Sequence, residues 1–253
     1  MHGLPDAPAT PYRHDGGMDK DHPADAEWAG EVQQLMLHGR DREAAELAAR
    51  HLCDDQTRTA ETRRGDITMG PLEQLDELEP LLGQVASGIT PADLDAGTPC
   101  ANFTVRGVLG HMVGGATQFA AAFRGESAPA VPADVADGAD VVARAGNALA
   151  GLMGAIRSPG ALDRTVASPF GEMPGDAFAG LVVLDGLVHG WDLATATGQT
   201  YEPSDALVAA VDVFARQAIA PAMRDGDTFA DAVEPRAGAT PIEQLAAFTG
   251  RIV

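Results

Sequence analysis

A chain of 253 residues has room for one large domain or for a domain with an appendage. Its formal charge of −20 is spread along the chain, with 8 basic and 14 acidic residues before Met69 and 9 and 23 from Met69 onward. A surface of that sign repels phosphate backbones and anionic lipid, which argues against nucleic acid or a membrane as partner. No apolar run approaches the roughly 20 residues of a membrane span, and the N-terminus lacks the order of a secretory signal, so a cytoplasmic protein is expected.

Residues 1–23, rich in Pro, Asp, Gly and His, have no apolar period and read as a disordered N-terminus. Residues 24–68 read as an appended segment: a helix or helical hairpin from Asp25 to about Leu52, then a polar linker. Cys53 and Cys100 lie in different segments and give no disulfide framework, and the pair His51 and Cys53 is too isolated for a metal site.

From Met69 the apolar period becomes helical. Leu72, Leu75, Leu78, Leu82 and Val85 mark an amphipathic helix ending near Gly88. A turn-rich connection follows, and Thr104 is placed to cap a second helix running to about Arg124. A third helix is expected over about Val135 to Arg157. Residues 158–175 hold three prolines and three glycines and read as an irregular or short extended excursion. A fourth helix spans about Asp176 to Thr197, a fifth about Ser204 to Met223, and Pro241 opens a short last one ending near Gly250. Strand-like alternation is nearly absent, so the fold class is all-α. Residues 69–253 form an up-and-down bundle of four main helices with extra helices at its ends.

Five of the seven histidines precede residue 69, leaving His111 and His189 for the whole bundle. The fourth helix is apolar nearly all round, as a core helix is. At about 100° per residue, its Asp185, His189 and Asp192 fall within an arc of roughly 60°. Carboxylates among aliphatic side chains need a counter-charge, and no Lys or Arg lies between Thr165 and Arg216. A divalent cation would supply it, because the Asp-x-x-x-His spacing sets an oxygen and a nitrogen ligand one turn apart. His111, about 60° from the core position Val108, offers a third ligand, with Gly114 and Gly115 leaving a hollow beside it. Three protein ligands leave positions open for water or substrate. The plainer alternative is a hydrogen-bonded Asp–His couple and an inward histidine satisfied by a neighbour. Asp192 either orients a ligand imidazole from behind or caps a neighbouring helix. Cys100, just before a helix N-terminus, reads as structural in preference to nucleophilic, since no free histidine is left to serve it as base.

The runs Gly97-Thr98-Pro99-Cys100-Ala101-Asn102-Phe103-Thr104, His111-Met112-Val113-Gly114-Gly115 and Leu187-Val188-His189-Gly190-Trp191-Asp192 resemble the DinB-like superfamily. More narrowly, they are similar to the N-terminal domain of mycothiol-dependent maleylpyruvate isomerases, and the closing Pro241 to Arg251 fits the end of that group. The resemblance covers about residues 69–253. It implies a four-helix bundle holding one divalent ion, usually zinc and sometimes nickel, through His111, Asp185 and His189. This chain carries Asp185 where the isomerases have Glu, and Phe103 where Trp is common; residues 1–68 fall outside the pattern.

Such a site implies a small-molecule enzyme, a thiol transferase or isomerase in which the metal activates a low-molecular-weight thiol such as mycothiol. The rivals are a metal-dependent hydrolase or tailoring enzyme that activates water, and a non-catalytic metal-binding or interaction protein.

Overall fold

The computed structural model describes residues 69–131, 136, 140–168, 171–224, 226 and 228–253. The expected N-terminal segments 1–23 and 24–68 lie outside the described residues. Helix α1 (Pro71–Gly88) starts with Pro71 in the first turn, where a missing N–H costs nothing, and Glu73 reaches back to accept from Gly70 N at 2.9 Å. Helix α2 (Val105–Arg124) is capped as its sequence suggests, the Thr104 hydroxyl accepting from Gly107 N at 3.2 Å, and it stops at Gly125 with φ of 72°.

Helix α3 (Val141–Ile156) begins later than the expected Val135; residues 132–135 and 137–139 are among those not described. The excursion after it is a small antiparallel hairpin, β1 (Thr165–Ser168) on β2 (Gly171–Pro174), with Val166 paired to Met173 and both facing the core. Helix α5 (Asp205–Ala218) is capped by Ser204. It ends before the expected Met223 because Pro221 cannot continue it, and Pro221–Met223 is a single 3-10 turn. Helix α6 (Pro241–Phe248) carries a capping box between Thr240 and Glu243.

These elements pack around α4 (Gly175–Ala196), as an all-α, DinB-like bundle should. Helix α1 lies along α4, α2 lies along α3, and α5 and α6 close the far side. By length and hydropathy α4 could cross a membrane, but 89% of its most apolar stretch is buried inside the protein, so it is the core helix of the bundle. From Ala177 to Ala194 only Leu181 and Asp185, one turn apart, are not fully buried.

Two glycines let α1 come close. A Cβ added at Gly186 would sit 3.0 Å from Leu78 Cδ2, and one at Gly190 would sit 2.5 Å from the Tyr201 hydroxyl and 2.9 Å from Leu82 Cδ2. Gly186 and Gly190 follow Asp185 and His189 directly, so the contact that seats α4 against α1 also sets the rotation that turns those side chains toward α2. Gly190→Val should overpack this contact and cost about 1–3 kcal/mol, read as a lowered midpoint in urea denaturation. An unchanged midpoint would mean that α1 does not press on α4 as described.

Candidate functional site

The site lies where α2, α4, the loop before α2 and the C-terminal end of the chain converge. Ala96 O accepts from Val105 N and Leu94 O from Arg106 N, each at 2.9 Å, which ties the loop down at the head of α2. The Thr98 hydroxyl lies 2.8 Å from the Phe103 carbonyl and 3.1 Å from that of Cys100, closing a turn that holds Cys100 and Phe103 at the site. The Phe103 ring centroid is 5.6 Å from that of His111 and 6.3 Å from that of His189.

His111 on α2 lies against Asp185 and His189 on α4, the latter two one helical turn apart. The His111 Nε2 donates to Asp185 Oδ1 at 3.2 Å, and the His189 Nε2 stands 3.5 Å from the same oxygen. One ligand atom from each of the three lies within 4.8 Å of the others. The His111 and Asp185 side chains are about two-fifths exposed, whereas His189 is buried. Asp185 is wet but enclosed, because its open side faces a cavity of about 340 Å³ that His111, His189 and Cys100 also line.

Behind His189 stands a group that sequence reasoning placed only in part. Asp192, fully buried, accepts from His189 Nδ1 at 3.0 Å, so it orients the imidazole and leaves Nε2 directed at Asp185. Its alternative role as a cap on a neighbouring helix does not arise. The expectation that a divalent cation balances these carboxylates is corrected for Asp192: Arg251, the third residue from the end of the sequence, donates from Nη2 to Asp192 Oδ2 at 3.0 Å and from Nε to Oδ1 at 3.4 Å. Arg251 Nη1 donates to Thr249 O at 3.2 Å.

The local sequence explains why Arg251 turns inward. Helix α6 ends in a Schellman motif: Gly250 N donates to Ala247 O and Arg251 N to Ala246 O, both at 3.0 Å, around Gly250 with φ of 95°. The signal was the pair Gly250-Arg251 after an amphipathic helix. Its partner, 59 positions earlier, cannot be read from local periodicity.

Two other expectations change. Gly114 and Gly115 do not open a hollow: Val131 stands 3.5 Å from where a Cβ of Gly114 would be, Phe119 stands 3.4 Å from that of Gly115, and neither glycine lines the cavity. Cys100 lines the cavity, and Cys100, His189 and Asp192 also lie within 4.8 Å of one another. Both Asp192 oxygens are already engaged by Arg251 and His189, so that second trio offers a poorer ligand set. Burial pushes the Cys100 thiol up, only partly opposed by Arg251, which keeps it neutral and agrees with a structural role.

The electrostatics of the main trio run in two directions. Desolvation raises the Asp185 carboxyl, but the charge of His189 and the hydrogen bond and charge of His111 outweigh it and hold the group at about 2, below the ordinary 3.8. The Asp185 hydrogen bond raises His111 above its ordinary 6.5, against desolvation. Asp185 therefore adds stability above about pH 4 that is lost as the pH falls toward 2. His111 adds stability below about pH 6.5 that is lost as the pH rises through its folded value. In metal-free protein the pair should contribute most between those limits. His111→Gln should flatten the stability profile above pH 6.5, and an unaltered profile in pH-dependent urea denaturation would refute the pairing.

Together the helical bundle and the convergence of α2 and α4 side chains on one cavity define a DinB-like protein. The chain belongs to the mycothiol maleylpyruvate isomerase N-terminal domain family, whose model matches residues 75–194. Two uncharacterized proteins, from two strains of Mycobacterium tuberculosis, are each 33% identical over 186 residues, 73% of this chain and 100% of each relative. No solved structure matches the chain.

The buried ion pair makes a separate prediction. Arg251→Met strands the Asp192 carboxylate and should cost about 3–5 kcal/mol in chemical denaturation. The double change Arg251→Met with Asp192→Leu should recover part of that loss. If the double variant is as unstable as the two single losses added together, the two side chains are not paired.

Proposed function

We propose that the protein binds one divalent cation, zinc foremost, through His111 Nε2, Asp185 and His189 Nε2, and uses it on a low-molecular-weight thiol of the mycothiol kind in a transfer or isomerisation. The observation that carries this reading is that two imidazole nitrogens and a carboxylate oxygen, from two helices, come within 4.8 Å of one another at the edge of a 340 Å³ cavity. Two nitrogens and one oxygen suit zinc or nickel, and three protein ligands leave room for an exogenous one. A bound divalent cation lowers the pKa of a thiol or water that reaches it.

The chain's own groups prepare for this. Asp192 accepts from His189 Nδ1, which keeps Nε2 as the unprotonated, outward nitrogen. Arg251 neutralises Asp192 and so keeps that carboxylate from competing for the ion. Phe103 covers both imidazoles on one side and limits access of water to them. The family of mycothiol maleylpyruvate isomerase N-terminal domains supports a thiol as the activated group over water. The aspartate, one methylene shorter than the glutamate of those isomerases, draws the carboxylate back toward α4.

Purified full-length protein should hold one zinc per chain by elemental analysis, and His111→Ala and His189→Ala should each lose it. Asp192→Asn should keep the site but weaken zinc about 10–100-fold. Affinity should fall with pH below the raised value of His111, because a proton then competes for its nitrogen. Zinc-loaded protein that neither binds mycothiol in a calorimetric titration nor turns over a thiol and acceptor pair would sink the thiol reading. Metal content unchanged in both histidine variants would sink the site itself.

A further inference from the structure

The cavity beside the trio carries its own chemical message. Beyond His111, Asp185 and His189 its walls are mostly apolar, with four phenylalanines, Leu181, Leu184, Val188 and Met223, and Cys100, Thr228 and Arg251 supply the other polar groups. Its four phenylalanines come from four segments of the chain, and Phe119 and Phe178 meet edge to face at 5.0 Å between centroids. About 340 Å³ falls in the range of small-molecule pockets, enough for a ring system or a short branched chain.

Among the described residues that line the cavity Arg251 is the one permanent cation, and its fork is already spent on Asp192 and the Thr249 carbonyl. Arg224, in the neighbouring segment, donates to the Ala230 and Phe248 carbonyls and lies over the Phe248 ring. Among the described residues that line the cavity no free guanidinium or ammonium would meet an entering carboxylate, whose desolvation costs several kcal/mol.

Charge balance points the same way, and this step rests on the cation proposed above. A divalent ion with Asp185, Asp192 and Arg251 leaves one net positive charge, which a single thiolate cancels. A second anion would find none left.

We infer that the cavity selects an uncharged, largely apolar co-substrate, an aryl or branched aliphatic molecule, in place of a small dicarboxylate. Leu181 and Asp185 are the two points between Ala177 and Ala194 at which α4 is not closed by its neighbours, so this co-substrate lies against Leu181 with its reactive end toward Asp185 and the imidazoles.

The test is a fluorescence titration of full-length protein, metal-free and zinc-loaded, with uncharged N-phenyl-1-naphthylamine, followed by competition with maleate. Saturable enhancement is expected in both forms, undisturbed by millimolar maleate. Leu181→Trp, which fills the cavity, and Leu181→Asp, which charges its wall, should each weaken the probe about tenfold or more while helical circular dichroism is kept. Displacement by micromolar maleate, or equal probe affinity in wild type and both folded variants, would overturn the inference. Probe binding in protein that takes up no zinc would uphold the apolar cavity while removing the proposed metal function. Zinc uptake with no probe binding would do the reverse.

Discussion

The buried Asp192 carboxylate is the interaction on which the rest of the site depends. A fully enclosed carboxylate is stable only when each oxygen is met, and here one arginine fork and one imidazole N–H meet both. Satisfying Asp192 therefore fixes three things together: the ring orientation of His189, the path of the chain's last residues, and the closure of α6 over α4. A group placed this deep couples the end of the chain to the middle of its core helix. The Schellman turn at Gly250 is the local device that lets this happen, since it reverses the chain within two residues and points Arg251 back at α4.

The bundle then separates two kinds of titratable residue by burial. Asp192 and Arg251 are buried and satisfied within the protein and behave as structure, and His189 is tied to them through Nδ1. His111 and Asp185 are partly exposed to the cavity, and each shifts the other toward its charged form. Cores tolerate polar groups of the first kind because every donor and acceptor is paired. Groups of the second kind can exchange their mutual contact for another ligand at little cost to the fold, because water already reaches them.

Helices α1, α2, α4 and α6 could be read from local sequence because each is declared by short-range chemistry: a heptad-like stripe in α1, Thr104 before α2, an all-apolar run in α4, Thr240-Pro241 before α6. The convergence of His111, Asp185 and His189 was readable for the same reason, since two of the three are one helical turn apart and the third flanks a core stripe. What could not be read is long-range. Arg251 meets Asp192 across 59 residues, and Phe229 reaches the cavity from beyond the expected fifth helix. The hollow assigned to Gly114 and Gly115 failed because a glycine removes a side chain from its own helix but does not decide what a neighbour puts there; Val131 and Phe119 fill the space. Pro221 was visible in the sequence, yet the apolar period running past it carried the expected fifth helix too far.

The position of Leu181 shows how the core helix can serve two purposes. Helix α4 needs nearly every face covered to be stable, and α1, α2, α5, α6 and the hairpin supply that cover. Any opening costs buried apolar area, at about 25 cal/mol for each Å² left to water. An opening restricted to Leu181 and Asp185 keeps that cost small and confines it to one turn. It also places an apolar surface and a carboxylate side by side on the same edge, on the helix that carries Asp192 and the His189 it anchors. A site built this way has its shape decided by packing on three sides and its charge decided by groups that packing has already locked.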